Sequence, residues 1–300
     1  MPENETIPFI GFGEAAAAFA IGWGQHLDRT IRAYDIKTDN RDEAVRSRKW
    51  NDYAAAQASG CATLEAALEG APLVFSLVTA DQALAAAENA AKGIEPNTLY
   101  LDCNSCAPGT KRLAAEQIER AGERYVDVAV MAPVHPALHK TPLLLSGSSS
   151  TGAHKRLAQL EMHAEISPGD VGASSSVKMI RSTMVKGLES LVAECTLAGR
   201  RAGVEETVFA TLDRSFPGFG WRERASHMLE RMMTHGERRA AEMREVAKSV
   251  EALGLTADMT HASGEWQQRI GDLALTSDSD DYQQLADQIL NGLNRGVSEE

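Results

Sequence analysis

The chain has 300 residues, 43% of them hydrophobic and 24% charged, with a formal net charge of −12. Such a composition can bury real cores and excludes a disordered chain, while the length fits about two domains. The acidic balance argues against nucleic acid or an anionic membrane as a partner, and no run approaches the ~18 uninterrupted apolar residues of a membrane helix. The first six residues, Met1-Pro-Glu-Asn-Glu-Thr6, are acidic and polar, unlike a signal peptide. Four cysteines give no disulfide framework, so a cytoplasmic protein is expected.

The first element is a short apolar run, Ile7-Pro-Phe-Ile10, which reads as a strand. Gly11-Phe-Gly13-Glu-Ala-Ala16 follows and opens an alanine-rich helix. This is the spacing of a dinucleotide-binding turn. Gly11 permits the tight bend and Gly13 lets backbone approach a pyrophosphate. Ala16 is small enough for close helix–strand packing, and N–H groups at the helix start hold phosphate. Thr30-Ile-Arg-Ala-Tyr-Asp35 reads as a second strand, and Asp35 ends it 22 residues past Gly13. A carboxylate there accepts ribose hydroxyls of NAD and repels a 2′-phosphate, although a turn or capping aspartate is the alternative. Lys37 and Arg41 lie close by, and their charge points instead to NADP.

Residues 41–70 read as irregular helix. Leu73-Val-Phe-Ser-Leu-Val-Thr79 is a buried-strand run, and Asp81 is placed to cap a helix over 82–92. Further strands are expected at 98–102, 125–130 and 143–146, with helices over 111–121 and from Thr151. This alternation argues for an α/β domain with a parallel sheet covered on both faces, its ligands collecting at the carboxyl ends of the strands. Those ends are Gly11, Asp35, Leu77-Val-Thr79, Asn104-Ser105 and Met131-Ala-Pro133. Beyond Gly169 helical periodicity takes over, so the domains are expected at 1–168 and 169–300. Val177, Ile180, Met184, Leu188, Leu191 and Cys195 form one apolar stripe on a long helix. A second long helix is expected from Trp221 to about Leu253, and the remainder is helical apart from a Ser/Asp-rich loop at 276–281.

Several polar residues stand out against this pattern. Lys178 lies beside the stripe in the opening turns of the long helix, and Ser182 shares its face. A lysine partly desolvated at a domain junction loses charge stability and can relay protons near neutral pH, while a solvated lysine is the plain alternative. Arg239 falls inside the stripe of the second long helix, with His235 one turn before it. A guanidinium on an apolar face needs an anion, either a structural Asp or Glu or a carboxylate substrate. Cys103-Asn-Ser-Cys106 has C-x-x-C spacing, but neither Cys61 nor Cys195 has a neighbour suited to complete a zinc site, so no metal is expected. His135 and His139 sit in a proline-bearing loop after a strand end, a position that lines pockets, while loop histidines without a function are the plain alternative.

Together these stretches resemble the β-hydroxyacid dehydrogenase superfamily, which includes the 6-phosphogluconate and 3-hydroxyisobutyrate dehydrogenases, over nearly the whole chain. Asp102-Cys-Asn-Ser105-Cys-Ala-Pro108 resembles the family's D-x-S/T segment, which makes Ser105 the hydroxyl residue near nicotinamide and substrate. Gly172 to Ser182 resembles the glycine-to-lysine segment, which makes Lys178 the counterpart of the catalytic lysine. His235-Gly-Glu-Arg-Arg239-Ala-Ala-Glu-Met243 looks most like a little-characterised phosphogluconate-dehydrogenase-like branch. Two departures are visible. The family's D-x-P-V-S-G-G turn is here Asp127-Val-Ala-Val-Met131-Ala132-Pro133, and the asparagine four residues after the lysine is Ser182.

The resemblance implies a Rossmann domain followed by an all-helical domain that completes the cleft. It implies a nicotinamide cofactor, NAD or NADP with NAD favoured by Asp35, held by Gly11, Phe12, Gly13, Glu14, Ala15, Ala16, Asp35, Leu77, Val78, Thr79, Asn104 and Ser105. Lys178 and Ser182 are the expected catalytic pair. Ser105, Met131, Ala132, Pro133, His135, His235 and Arg239 are the expected contacts of a small carboxylate substrate, the last two from either subunit of a homodimer formed through the helical domain. An imine reductase of similar architecture and a non-catalytic NAD(P)-binding protein are the alternatives.

Overall fold

The structure is a computed structural model that describes residues 6–24 and 30–297. The first five residues of the acidic amino terminus lie outside the described residues. The chain divides into two compact units, Met1–Lys178 and Met179–Glu300.

The first unit is an eight-stranded sheet in the order β3-β2-β1-β4-β5-β6-β7-β8. Its strands are β1 (Thr6–Ile10), β2 (Thr30–Tyr34), β3 (Ser59–Gly60), β4 (Leu73–Ser76), β5 (Leu99–Asp102), β6 (Arg124–Val130), β7 (Leu143–Ser146) and β8 (Ala164–Ile166). Helices α1 (Glu14–Trp23), α2 (Glu43–Ala55), α3 (Leu64–Leu68), α4 (Ala83–Ala90), α5 (Pro108–Arg120) and α6 (Ser150–Gln159) connect them. Strand alternation sorts the core into two layers. Leu73, Phe75, Leu99, Leu101, Val126 and Val128 pack with Phe9, Phe19 and Trp23 on one face. Val74, Tyr100 and Tyr125 pack with Ala114 and Ile118 of α5 on the other.

Three expectations are corrected here. The sheet is not wholly parallel, because β6 and β7 pair antiparallel, Asp127 opposite Ser146. The connection between them carries only a single 3-10 turn at Leu138–Lys140, too little for a crossover. Residues 41–70 hold the edge strand β3 between α2 and α3, and its two residues are too few to show a period. Asp81 does not cap a helix over 82–92. It lies in a 3-10 turn, Ala80–Gln82, and accepts a bond from the Gln82 side chain at 2.9 Å.

Helix α7 (Ala173–Ala202) runs across the division between the units. The second unit continues with α8 (Glu205–Ser215), α9 (Trp221–Glu251), α10 (Asp258–Gly271) and α11 (Tyr282–Val297). Helices α9 and α10 meet backbone to backbone. A Cβ on Gly236 would lie 2.4 Å from the Gln267 carbonyl oxygen, and one on Gly271 2.6 Å from the Glu237 nitrogen. The expected stripe of α7 is not its buried face. Ile180, Met184 and Leu191 are exposed, whereas Lys186, Glu189, Ser190, Ala193 and Leu197 are buried. Periodicity locates an apolar face without saying what covers it, and the polar face of α7 finds side-chain partners on α9 and α10.

Candidate active site

The site begins where β1 and β4 lie side by side, with the chain leaving them toward opposite sides of the sheet. Ligands of open α/β sheets bind at such a reversal. Gly11 follows β1 with φ +80°, and a Cβ there would meet the Leu77 carbonyl oxygen at 2.5 Å and Val78 Cγ1 at 2.7 Å. Only glycine fits this turn. Gly13 is different. It is exposed, and a Cβ placed on it would find nothing within 4 Å, so that side of the turn has room for a ligand. No side chain caps the ten-residue helix α1 that Gly13 opens. Glu14 is exposed, Ala15 half-buried and Ala16 fully buried. A glycine turn with open space and a helix start without a side-chain cap fits the pyrophosphate of a dinucleotide.

Asp35, at the end of β2, ties this turn down. Its Oδ2 accepts the Phe12 N–H at 2.9 Å and its Oδ1 accepts the Lys37 N–H at 2.9 Å. Lys49, buried on α2, donates to the Phe12 carbonyl at 2.6 Å and stands 4.0 Å from Asp35 Oδ2. The Phe12 ring itself is in the core, edge-on to Tyr53. Asp35 is therefore half-buried at the edge of the turn, where each of its oxygens keeps a further lone pair.

Contacts continue across the strand ends. Leu77 and Val78 are half-buried and Thr79 exposed. The Val78 N–H donates to Asn104 Oδ1 at 2.6 Å, and Asn104 Nδ2 donates to Ser76 Oγ at 3.0 Å. Buried Asn104 is thus a strut between the ends of β4 and β5, and the next residue, Ser105, is half-buried. Lys178, half-buried on the second turn of α7, donates from Nζ to Ser105 Oγ at 2.5 Å. An amine and a hydroxyl in this contact can pass a proton to and from an oxygen placed beside them.

Behind the pair lies a group of charged residues that is absent from the expected site. Lys111, Asp102 and Asp127 are all fully buried. Lys111 Nζ stands 2.8 Å from Asp102 Oδ1 and 3.5 Å from Asp127 Oδ1. The Tyr125 hydroxyl donates to Asp102 Oδ2 at 2.6 Å. Burial pushes the Lys111 amine down, but the two carboxylates more than reverse this and hold it above its ordinary value. Burial likewise pushes Asp127 up, and Lys111 with donors from Ser175 and Ser174 brings it below the usual carboxylate range. The signals were visible in the chain. Lys111 shares a helical face with Ala114, Ala115 and Ile118, and Asp127 interrupts an apolar strand. Cys103 is buried, and burial pushes its thiol up to about 12, so the C-x-x-C segment holds no thiolate there at neutral pH.

Met131 is half-buried and Ala132, Pro133 and His135 are exposed on the β6–β7 loop, while His139 is buried with its ring 6.2 Å from that of Trp23. In the helical unit Ser182 and His235 are half-buried. Arg239 is buried and forms an ion pair with Glu189, which also accepts from Gln267 Nε2 at 3.1 Å. The anion that its apolar stripe demands is thus a glutamate of the same unit. Lys186 pairs with Glu242 at 2.8 Å beside it.

Residues 6–166 match the family model described as the NAD binding domain of 6-phosphogluconate dehydrogenase, and residues 200–270 match DUF1932, a domain of unknown function. A conserved hypothetical protein from Sinorhizobium meliloti 1021 is 34% identical, with 96% of each chain covered and a TM-score of 0.77. MTH1747, a conserved protein of unknown function described as structurally similar to 3-hydroxyacid dehydrogenases, is 26% identical over 96% of this chain and 99% of its own, with a TM-score of 0.70. The 3-hydroxyisobutyrate dehydrogenase of Mycobacterium tuberculosis, solved with L-serine, shares the fold at 16% identity, with 95% of this chain and 99% of its own covered and a TM-score of 0.74. The chain belongs to the family of proteins built on the NAD binding domain of 6-phosphogluconate dehydrogenase, here followed by a DUF1932 domain.

Proposed function

We propose that the protein is an NAD(P)-dependent oxidoreductase acting on the CH–OH group of a small 3-hydroxy acid. The observation that carries this reading is the 2.5 Å contact between Lys178 Nζ and Ser105 Oγ, one residue along from the Asn104 strut that reaches Val78 beside the Gly11 turn. A bound nicotinamide supplies or accepts the hydride. Ser105 positions the substrate oxygen, and Lys178 takes the hydroxyl proton in oxidation and returns it in reduction. Gly11, Gly13 and the start of α1 hold the pyrophosphate, and Asp35 accepts the ribose hydroxyls, which favours NAD over NADP. Arg239, neutralised by Glu189, serves the helical unit itself. The resemblance and the exposed Ile180, Met184 and Leu191 on α7 support a homodimer formed through the helical unit.

Absorbance at the reduced-nicotinamide band tests this, with a panel of 3-hydroxy acids set against cyclic imines. Turnover is expected with a hydroxy acid and NAD. Conversion of imines alone would point to an imine reductase. Nucleotide binding with no conversion of any panel member would point to a binding protein without chemistry.

A further inference from the structure

Hydride and proton transfer alone leave the buried charges beneath Ser105 and Lys178 without a role. Three charged side chains fully shielded from water add little stability compared with apolar residues of the same size, so what they supply is arrangement. Each carboxylate governs one arm of the site. Asp102 Oδ1 accepts the Asn104 N–H at 3.0 Å and so folds the loop that presents Ser105. Asp127 governs the start of α7. Gly172, with φ +104°, opens that helix and has no side chain to cap it. Asp127 Oδ2 acts as the cap from β6, accepting the N–H groups of Gly172 and Ser175, each at 3.1 Å, and the Ser175 hydroxyl at 2.9 Å. Lys178 follows Ser175 by three residues, less than one turn. One cation joins the two arms, since Lys111 Nζ is 2.8 Å from Asp102, 3.5 Å from Asp127 and 2.6 Å from the Asp102 carbonyl oxygen.

We propose that Lys111 is a positioning residue which, through Asp102 and Asp127, sets the spacing between the Ser105 loop and the start of α7 and so holds the Lys178 amine on the Ser105 hydroxyl. The inference rests on the reading of Lys178 and Ser105 as the proton-transferring pair, and Lys111 itself touches neither.

Removing Lys111 alone leaves two buried carboxylates with no cation, so the test uses Lys111→Met/Asp127→Asn, which removes one charge of each sign. Folding is checked by circular dichroism and thermal melting. The readout is the rate at which acetic anhydride labels Lys178, followed peptide by peptide by mass spectrometry as a function of pH, without cofactor or substrate. Ser105→Ala serves as the reference for a lost contact. Both variants are expected to label Lys178 about tenfold faster than the wild type, the factor equivalent to one hydrogen bond to a charged group, with pH profiles that move together. Wild-type labelling of Lys178 in the double variant while Ser105→Ala releases it would overturn the proposal. So would an unchanged rate in Ser105→Ala, or an equal rise at the buried Lys49, which would report general loosening. If the double variant does not fold, Asp127→Asn alone is measured in the same way, with the same expected rise, and an unchanged Lys178 rate overturns the proposal. Because labelling needs no turnover, the two failures are told apart: a wild-type protein without dehydrogenase activity sinks the functional reading, whereas an unmoved Lys178 rate sinks the positioning by Lys111.

Discussion

At the scale of single residues, the proposed preference for NAD rests on Asp35. Its two oxygens already accept backbone N–H groups from Phe12 and Lys37, and Lys49 stands 4.0 Å away. The carboxylate is held in place at the end of β2, where a 2′-phosphate would meet its charge. Asp35→Asn keeps the shape, gives up one of the two N–H acceptances and removes that charge. Repulsion of ~1–4 kcal/mol between unit charges 4 Å apart implies that the ratio of NADPH to NADH affinity rises roughly fivefold or more. Fluorescence titration of both nucleotides checks this, and an unchanged ratio would mean that Lys37 or Arg41, rather than Asp35, sets the preference. Both Asp35 and the glycine turn were legible in the chain because spacing after a strand constrains them. The role of Phe12 was not, since only packing shows that its ring enters the core while its N–H serves Asp35.

At the scale of elements, α7 is held at its start by Asp127 and paired further along through Glu189 and Arg239. Asp127 titrates below its ordinary value in the folded chain, so it contributes stability that is present above the unfolded pKa of ~3.9 and lost as pH falls through the lower folded value. Lys111 titrates above its ordinary value, so its contribution is present below ~10.4 and lost only at still higher pH. The wild type is therefore expected to exceed Asp127→Asn in melting temperature at neutral pH, with the gap closing in acid; a gap constant down to pH ~2 would contradict this. In the helical unit Arg239→Met leaves Glu189 buried without its cation and is expected to cost about 3–5 kcal/mol in denaturant melts. Replacing both by methionine is expected to restore most of it. Unchanged stability in Arg239→Met would return Arg239 to the pool of substrate contacts. The sequence placed Arg239 in an apolar stripe correctly, but Glu189 lies 50 residues earlier on another helix, and no pattern within one helix names a partner on the next.

At the scale of the whole molecule, strand–helix alternation made the α/β unit and the helical remainder readable. The elements that escaped were those too short to show a period, β3 and β8; β7 was found but not its antiparallel direction, which depends on a 12-residue connection rather than on its own residues. The same limit hid the buried face of α7. The polar residues that pack inward there are explained only by partners far away in sequence, while Val177, Ile180, Met184 and Leu191 of its apolar stripe are exposed. The candidate site was readable where motif and position agreed, since Gly11 turns at the end of β1 and Lys178 meets Ser105. Lys111 and Asp127 left traces in their helical face and strand, but only the fold shows that they form one buried charged group. The central claim is that Lys178 moves the proton when hydride is exchanged in this Rossmann unit. The most direct test measures turnover and the NADH dissociation constant side by side for the wild type and Lys178→Ala, using a hydroxy acid that the wild type converts. Turnover is expected to fall roughly 10²–10⁴-fold with the dissociation constant unchanged. Turnover kept in the variant, or lost only in step with NADH binding, would contradict it.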